Sequence, residues 1–287
     1  MDIRYLMGLL RQLLKRKHKN NHMINIGKTK NLTLISGPCA IESEELCLKI
    51  AEHMCEITDP LPISYIFKAS FDKANRSSIN SNRGIGIEKG LKILDRIKTD
   101  FNIPVLTDVH EDTPINEVAD CVDILQTPAF LCRQTNFILK VSSANKPVNI
   151  KKGQFLSPLE MINVVEKAKS TGNKDIFVCE RGVSFGYNNL VSDMRSLVLL
   201  RETKCPVIYD ASHSVQYPGK DITSSGGGSE FIPSLAKAAT AVGVDALFIE
   251  THPNPAIALS DGKNSLNLNN MKSLLESVVN INDIVKR

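Results

Sequence analysis

The first candidate site is an eleven-residue run, Lys68-Ala-Ser-Phe-Asp-Lys-Ala-Asn-Arg-Ser-Ser78, which follows the apolar segment Tyr65-Ile-Phe67. It combines three cations with several hydroxyl and amide side chains. Arg presents a planar pair of donors to phosphate oxygens, and Lys supplies a movable positive charge. The composition therefore predicts the binding of a small polyhydroxylated phosphate ester, a sugar phosphate. The alternative is a solvated loop that happens to be basic, so the surrounding elements must decide between the two.

Those elements alternate short β-branched or apolar runs with longer helical stretches, which is typical of βαβ units and a parallel sheet. We predict eight strands, at 32–36, 65–68, 105–108, 122–126, 148–151, 176–179, 207–210 and 246–250. The predicted helices lie at 42–58, 86–100, 114–119, 133–144, 158–170, 190–202, 230–242 and 269–286.

Eight such units match an α/β fold of the (β/α)8 TIM barrel type, whose active site lies at the carboxyl ends of the strands. An open doubly wound sheet is the alternative. No G-x-G-x-x-G sequence follows the first strand, which argues against a dinucleotide-binding version of that sheet. Residues 25–33 are predicted to add a short N-terminal hairpin that closes the bottom of the barrel.

Charge is unevenly distributed along the 287 residues. Residues 1–30 contain eight Lys or Arg and one acid, whereas the remainder contains 27 basic and 30 acidic residues. This balance argues against a nucleic-acid-binding protein, and no window approaches the ~18 apolar residues that span a bilayer. We predict one catalytic domain, 23–287, after a basic extension, 1–22, that is disordered or dispensable; a membrane-surface or targeting helix is the alternative.

Seven cysteines are scattered without paired spacing, and the chain start lacks the pattern of a signal peptide. Free thiols in a reducing cytoplasm are expected from this usage.

Polar side chains follow all eight predicted strands, and in a barrel these strand ends meet at one mouth. The cations among them are Lys68, Lys73, Arg76, Arg133, Lys151, Lys152 and Arg181. So many like charges in one mouth are unfavourable unless anions neutralise them. Two phosphorylated substrates would supply the required negative charge.

A second group of four residues suggests a metal: Cys39, His213, Glu250 and Asp261, after the first, seventh and eighth strands. A thiolate, an imidazole and two carboxylates suit a divalent ion such as Zn²⁺, Fe²⁺, Mn²⁺ or Co²⁺. No C-x-x-C or H-E-x-x-H motif supports the site, so ordinary alternatives stay open. In these alternatives, Cys39 would be a small buried apolar residue, His213 would orient a phosphate, and Asp261 would cap a turn.

From about residue 31 to the end, the chain resembles the Kdo-8-phosphate synthases. The motifs that carry the resemblance are Gly37-Pro-Cys-Ala-Ile-Glu-Ser43, Phe67-Lys-Ala-Ser-Phe-Asp-Lys-Ala-Asn-Arg-Ser-Ser78, Pro128-Ala-Phe-Leu-Cys-Arg-Gln-Thr135, Asn149-Ile-Lys-Lys-Gly-Gln-Phe155, Phe185-Gly-Tyr-Asn-Asn-Leu190, Asp210-Ala-Ser-His213 and Glu250-Thr-His-Pro253. The resemblance implies a TIM barrel, commonly a homotetramer. It would condense phosphoenolpyruvate with D-arabinose 5-phosphate and water, giving Kdo 8-phosphate and phosphate for lipopolysaccharide biosynthesis.

Related enzymes leave alternatives open. DAHP synthases use erythrose 4-phosphate and carry a Lys-Pro-Arg-Thr-type motif, where this chain has Lys73-Ala-Asn-Arg-Ser-Ser78. A DAHP-type or sialic-acid-type synthase is therefore one alternative, and a non-catalytic barrel that binds sugar phosphates is another.

The resemblance also implies roles for individual residues. Phosphoenolpyruvate would be bound by Lys68, Arg133, Lys151, Gln154 and Arg181. The sugar phosphate would be bound by Lys73, Asn75, Arg76 and Ser77, with Asp108 near its hydroxyls. Cys39, His213, Glu250 and Asp261 would bind the metal, and Lys73, His213, Asp261 and Cys39 would be catalytic.

Two positions bear on the subclass. Cys39 stands where metal-independent members have Asn, and Asn188 stands where they tend to have Asp, so the resemblance implies the metal-dependent subclass. Asn136 and Ser229 depart from the Asp and Arg that the family usually has.

Overall fold

The structure, a computed structural model, describes residues 24–74, 82–218 and 226–286. Eight parallel strands form a closed barrel: β1 (Leu32–Gly37), β2 (Ile63–Lys68), β3 (Val105–Asp108), β4 (Ile124–Thr127), β5 (Val148–Lys151), β6 (Ile176–Glu180), β7 (Val207–Asp210) and β8 (Ala246–His252). Each strand pairs with the next, and β1 also pairs with β8, which closes the sheet. The predicted (β/α)8 barrel is confirmed.

The outer layer consists of helices between the strands: α1 (Glu44–Thr58), α2 (Ile87–Phe101), α3 (Ile115–Cys121), α4 (Thr135–Ser142), α5 (Met161–Lys169), α6 (Arg195–Leu200), α7 (Ile232–Val242) and α8 (Met271–Val285). Local sequence explains where α1 begins. The Ser43 hydroxyl accepts a hydrogen bond from the Leu46 N–H, and Glu44 and Glu45 complement the positive end of the helix dipole. Among the described helices, none is long and apolar enough to cross a membrane.

Helix α6 is shorter than the predicted stretch 190–202. Before it, Val191 forms an isolated bridge with Val183, and the Leu190 N–H donates to the Gln216 carbonyl. These bonds hold the segment extended, so the helix begins only at Arg195. Apolar periodicity alone does not reveal such pairing.

The core has two parts. One lies between the strands and the helices, and the other fills the barrel interior. The interior part includes Ile35, Ile66, Leu106, Ile124, Phe177, Ile208 and Phe248. These side chains form an apolar floor below the carboxyl ends of the strands, so polar groups above it lie in a largely water-free setting.

The bottom of the barrel is closed by a turn, and the predicted hairpin at 25–33 is wrong. Within the described residues before β1, the backbone makes a turn in which the Lys28 N–H donates to the Asn25 carbonyl. Both edges of β1 are already paired, so this segment has no free strand edge to join. Ile24 and Ile26 are instead buried with the interior side chains. Gly27 adopts a positive φ of 70°, and a Cβ there would lie only 3.0 Å from Pro206.

Candidate active site

The barrel interior changes from apolar to polar at the carboxyl ends of the strands. Side chains there come from seven of the eight strands or the residues just after them, and most are buried. They include Lys68, Asp108, Gln126, Lys151, Arg181, Asp210 and Glu250. The alternation of a parallel strand turns every second residue inward, so each strand places one chemical group at the mouth.

Lys68 is the last residue of β2 and the first residue of the run 68–78, and its side chain contacts groups from β8 and from the residues just after β1. Its Nζ donates to Glu250 Oε1 over 2.6 Å and to the Cys39 carbonyl over 3.0 Å. Burial alone would raise the pKa of Glu250. Lys68, His213 and Lys73 outweigh that effect, so the pKa lies below its ordinary value.

Lys73 and Asp108 form the second charged pair. Lys73 Nζ lies 3.6 Å from Asp108 Oδ2, and Lys68 Nζ lies 3.9 Å from the same oxygen. Ser70 Oγ donates to Asp108 Oδ2, and Gln126 Nε2 donates to Asp108 Oδ1 over 2.5 Å. Burial opposes ionisation of Asp108, but the neighbouring lysines hold its pKa well below the usual range. The acidic groups around Lys73 likewise outweigh burial and raise its pKa well above the usual value.

Lys151, Asp210 and His213 form the third group. Asp210 Oδ2 accepts from Lys151 Nζ over 2.5 Å and lies 2.7 Å from His213 Nδ1. Asp210 Oδ1 accepts from the backbone N–H groups of Ser212 and His213. Burial would raise the pKa of Asp210, but His213 and Lys151 hold it far below the ordinary range. Lys151 also lies 3.7 Å from the centroid of the Phe248 ring, a cation–π contact.

Arg181 and Gln154 supply unused hydrogen-bonding capacity at the same mouth. Arg181 Nη2 donates to Gln216 Oε1 over 2.5 Å, while Arg181 Nη1 and Gln154 Oε1 are buried without a hydrogen-bond partner. Unpaired buried polar atoms are costly and call for a ligand or water. Lys68, Lys73, Asp108, Lys151 and His213 line the same cavity, of about 60 Å³.

The possible metal group contains three of the four predicted ligands. One ligand atom each of Cys39, Glu250 and Asp261 lies within 4.8 Å of the others. His213 lies beside this group, its Nε2 3.7 Å from Glu250 Oε2, and that oxygen is buried without a hydrogen-bond partner. The Cys39 thiol donates to Asp261 Oδ2 over 3.0 Å. Burial, together with Asp261 and Glu250, raises the pKa of this thiol far above its ordinary value.

Some predicted residues are not brought into the mouth. Arg133 is exposed on the turn after β4 and does not line the cavity. Asn75, Arg76 and Ser77 lie outside the described residues, as does the extension 1–22. Lys152, one of the seven cations, is buried elsewhere: it donates to the Gly153 and Leu156 carbonyls and lies 3.4 Å from Glu180. The two departures from the family pattern lie apart from the cavity, Asn136 exposed on α4 and Ser229 at the start of a short 3₁₀ helix.

Sequence reasoning gave no role to Asp210, Gln126, Ser70 or His110. Asp210 and Gln126 stand at the carboxyl ends of strands, which is the signal that could have identified them. His110 lines the cavity, is buried, and its Nδ1 has no hydrogen-bond partner; burial lowers its pKa. Ser70 is recognisable only from its contact with Asp108.

Comparison with known proteins agrees with this geometry. Residues 15–287 match the model of the DAHP synthetase I family. The 2-dehydro-3-deoxyphosphooctonate aldolase of Legionella pneumophila (strain Corby) is 64% identical over 261 residues, which is 91% of this chain and 95% of the relative. The proteins of the same name from Francisella philomiragia subsp. philomiragia and Francisella tularensis subsp. novicida are each 60% identical over the same length and shares. The chain therefore belongs to the DAHP synthetase I family, and within it to the 2-dehydro-3-deoxyphosphooctonate aldolases, also called Kdo-8-phosphate synthases.

Proposed function

We propose that this protein condenses phosphoenolpyruvate with D-arabinose 5-phosphate and water to give Kdo 8-phosphate and phosphate. The observation that carries the proposal is the convergence of Lys68, Lys73, Lys151 and Arg181 on one cavity, in a chain whose relatives are named for this activity. A C–C bond-forming transferase needs both anionic substrates held together, and these cations supply the counter-charge.

Phosphoenolpyruvate is assigned to the Lys151, Gln154 and Arg181 side of the cavity, next to Lys68. The buried and unpartnered Arg181 Nη1 and Gln154 Oε1 support this assignment, because a ligand would satisfy them. A guanidinium held by Gln216 on one side still presents donors to a phosphate or carboxylate on the other. The exposed position of Arg133 gives no support to its proposed part in the same subsite.

The sugar phosphate is assigned to Lys73 and to the neighbouring Asn75, Arg76 and Ser77. The raised pKa of Lys73 supports a permanently charged ammonium at this end of the cavity. Asp108 accompanies it, with a carboxylate that accepts hydrogen bonds from hydroxyl groups. The motif Lys73-Ala-Asn-Arg-Ser-Ser78 favours the pentose over erythrose 4-phosphate.

We propose a divalent metal at Cys39, His213, Glu250 and Asp261, and with it membership of the metal-dependent subclass. The clustering of three ligand atoms and the unpartnered Glu250 Oε2 fit a cation, as does the mixed donor set. The contact of His213 Nδ1 with Asp210 supports a tautomer whose Nε2 carries the free lone pair, as in metal sites where a carboxylate orients the histidine. When bound, the ion would act as a Lewis acid and would make the Cys39 thiol ionise despite its raised pKa.

The remaining chemistry follows from charge and position. C3 of the enol attacks the aldehyde carbon, positive character develops at C2, water adds there, and phosphate leaves from the tetrahedral intermediate. Lys151 and Arg181 fix the enol phosphate, whereas Lys73 neutralises the approaching sugar phosphate, so the residues contribute mainly by positioning. Asp210 holds His213 in one orientation beside the proposed metal site.

The test is release of inorganic phosphate from phosphoenolpyruvate, measured with D-arabinose 5-phosphate, erythrose 4-phosphate or N-acetylmannosamine, with and without a chelator. Turnover with the pentose, abolished by chelation and restored by a divalent ion, is the expected result. Turnover with erythrose 4-phosphate alone would favour a DAHP-type enzyme. Binding of both ligands without phosphate release would favour the non-catalytic barrel, and unchanged activity in chelator would remove the metal from the proposal.

We further propose a homotetramer in the cytoplasm. Large apolar side chains are exposed on the described surface, including Phe130, Phe185, Tyr187 and Phe231, which supports burial against other copies of the chain. All seven cysteines are free, which supports a reducing compartment. Light scattering after size-exclusion chromatography tests the tetramer, and a monomeric mass would refute it.

A further inference from the structure

Three polar side chains lie side by side across the barrel interior, from Asp108 at the mouth to Asn149 on β5. Strand register places Asp108 opposite Gln126, and Gln126 opposite Asn149. Gln126 Nε2 donates to Asp108 Oδ1 over 2.5 Å, and Asn149 Nδ2 donates to Gln126 Oε1 over 2.7 Å. We call this buried sequence of hydrogen bonds, Asn149–Gln126–Asp108, the amide chain.

The direction of the amide chain follows from the charge at one end. An ionised carboxylate only accepts hydrogen bonds, so Gln126 must present its amino group to Asp108. Its carbonyl oxygen then faces Asn149, which must also donate. Asn149 Oδ1 is left buried without a partner, because the next strand presents Phe177 at this register. The hydrogen bond to Asp108 therefore requires a single orientation of the Gln126 and Asn149 side-chain amides.

The amide chain does not benefit the packing of the barrel. It adds two amides to an interior whose neighbouring layer is apolar, and it leaves one acceptor unsatisfied. A buried unpaired acceptor costs stability, whereas an apolar side chain of similar volume would avoid that cost. The amide chain must therefore have its role through its effect on Asp108.

Asp108 is held away from both lysines by its hydrogen bonds. Ser70 and Gln126 occupy its two oxygens, and its Oδ2 lies 3.6 Å from Lys73 Nζ and 3.9 Å from Lys68 Nζ. Direct charge-assisted contacts are shorter, at about 2.7–2.9 Å. The carboxylate thus offsets the lysine charges at a distance, without using up their N–H donors.

We propose that Gln126, supported by Asn149, is a positioning residue that keeps Asp108 from pairing directly with Lys73. This inference rests on the proposed function, in which Lys73 binds the sugar phosphate. Without Gln126, Asp108 rotates onto Lys73, and the resulting ion pair competes with the phosphate of D-arabinose 5-phosphate.

The first test is Gln126→Met, which keeps the volume and removes both hydrogen bonds. We expect kcat/KM for D-arabinose 5-phosphate to fall about ten- to a hundredfold, the worth of one hydrogen bond to a charged group. KM for phosphoenolpyruvate should stay within about twofold, because the amide chain makes no hydrogen bond to Lys151, Gln154 or Arg181. Unchanged kinetics for the sugar phosphate would overturn the proposal.

The second test is Gln126→Glu, which preserves shape and gives a signature that a packing role does not predict. A protonated Glu at this position can donate to Asp108 as the amide does. Two adjacent carboxyls share a proton whose loss has a strongly raised apparent pKa. Activity of this variant should fall with rising pH along one ionisation that the wild type and Gln126→Met lack. The charged groups facing Asp108, which are Lys68, Lys73, Lys151 and His110, are the same in all three proteins. A pH profile identical to that of the wild type would contradict the inference.

A matched control comes from Asn282→Leu on α8. Asn282 is also a buried amide, donating to the Lys30 carbonyl over 3.0 Å with its own oxygen unpartnered, but it lies outside the mouth. This variant should lower Tm without changing either KM. If Gln126→Met changed Tm in the same way and raised both KM values alike, Gln126 would be merely structural.

Calorimetric binding of D-arabinose 5-phosphate to the same proteins separates this inference from the proposed function. Wild-type protein that binds the sugar phosphate without turnover would contradict the proposed reaction but leave the comparison with Gln126→Met valid. Binding weakened about tenfold or more in that variant supports the inference, and equal binding overturns it.

Discussion

Asp210→Asn tests how much the mouth depends on one buried carboxylate. Asp210 is fully buried and contacts four donors: Lys151 Nζ, His213 Nδ1, and the backbone N–H groups of Ser212 and His213. Asn keeps the shape and can still accept the two backbone hydrogen bonds. Its amino group, however, would face Lys151 and His213, so donors would meet donors and a buried ammonium would lose its counter-charge.

The structure sets the size of the expected effect. Removing one partner of a buried ion pair typically costs about 3–5 kcal/mol, because the remaining charge stays buried without compensation. Domains of this kind have a free energy of unfolding of roughly 5–15 kcal/mol, so the loss is a large fraction of the total. The matched control is Asp193→Asn. Asp193 pairs with Arg195 over 2.8 Å on the surface, where solvent screens the two charges and the pair adds little stability.

Urea unfolding in the presence of chelator measures both variants without a contribution from bound metal. The folded-state pKa of Asp210 lies far below its unfolded value of about 3.9, so its contribution is fully present above that pH and is lost as the pH falls towards the folded pKa. The difference between wild type and Asp210→Asn should therefore persist from pH 8 to about pH 5 and shrink below about pH 4. The double variant Lys151→Met/Asp210→Asn should recover part of the loss, because it removes the unpaired ammonium and keeps an acceptor for the two backbone N–H groups. A loss no larger than that of Asp193→Asn would refute the reasoning.

Three further outcomes are expected. Cys39→Asn should lower the metal content of the purified protein, measured by elemental analysis, whereas Cys121→Ser should leave it unchanged. Equal metal content in the two variants would exclude Cys39 as a ligand. Arg181→Lys should raise KM for phosphoenolpyruvate about tenfold because Lys lacks the planar fork, and the exposed Arg195→Lys should leave it unchanged; an unchanged KM in Arg181→Lys would remove this residue from the subsite. Ile26→Ala should reduce the free energy of unfolding, measured by denaturant titration, by about 2–5 kcal/mol because Ile26 is fully buried. Ile284→Ala, at an exposed position, should have little effect. Equal free energies of unfolding in the two variants would mean that burial of Ile26 in the bottom turn adds no stability.

The fold could be predicted from sequence because each strand combines an apolar run with a polar residue at its carboxyl end. Lys68, Lys151 and Asp210 each end both a predicted and an observed strand. The segment before β1 could not be predicted this way. Ile24 and Ile26 have the alternation of a strand, but both edges of β1 are taken by β2 and β8, which only closure of the barrel reveals.

The sequence predicted many of the residues of the candidate site, but not which of them contact each other. Strand ends identify which groups share the mouth, but they do not tell which cation faces which carboxylate. Gln126 carries no charge and belongs to no reactive motif, so its role depends on the register between β3 and β4. Arg133 and Lys152 both follow strands, but Arg133 is exposed and Lys152 is buried beside Glu180. The path of the loop after each strand determines whether the side chain is buried, and the strand pattern does not reveal that path.

The pairing of charges changes the electrostatic argument for the substrates. From sequence, seven cations in one mouth require external anions, but the structure compensates several of them internally. Lys68 contacts Glu250 and Lys151 contacts Asp210, both within 2.6 Å. Phosphate groups must therefore compete with these carboxylates, and the most accessible donors are those without a direct anionic contact. Among the described residues that line the cavity, those are Lys73, which Asp108 approaches only to 3.6 Å, and Arg181 with its unpartnered Nη1. They belong to the two proposed subsites, so each phosphorylated substrate would meet one cation that the protein has not already neutralised at close range.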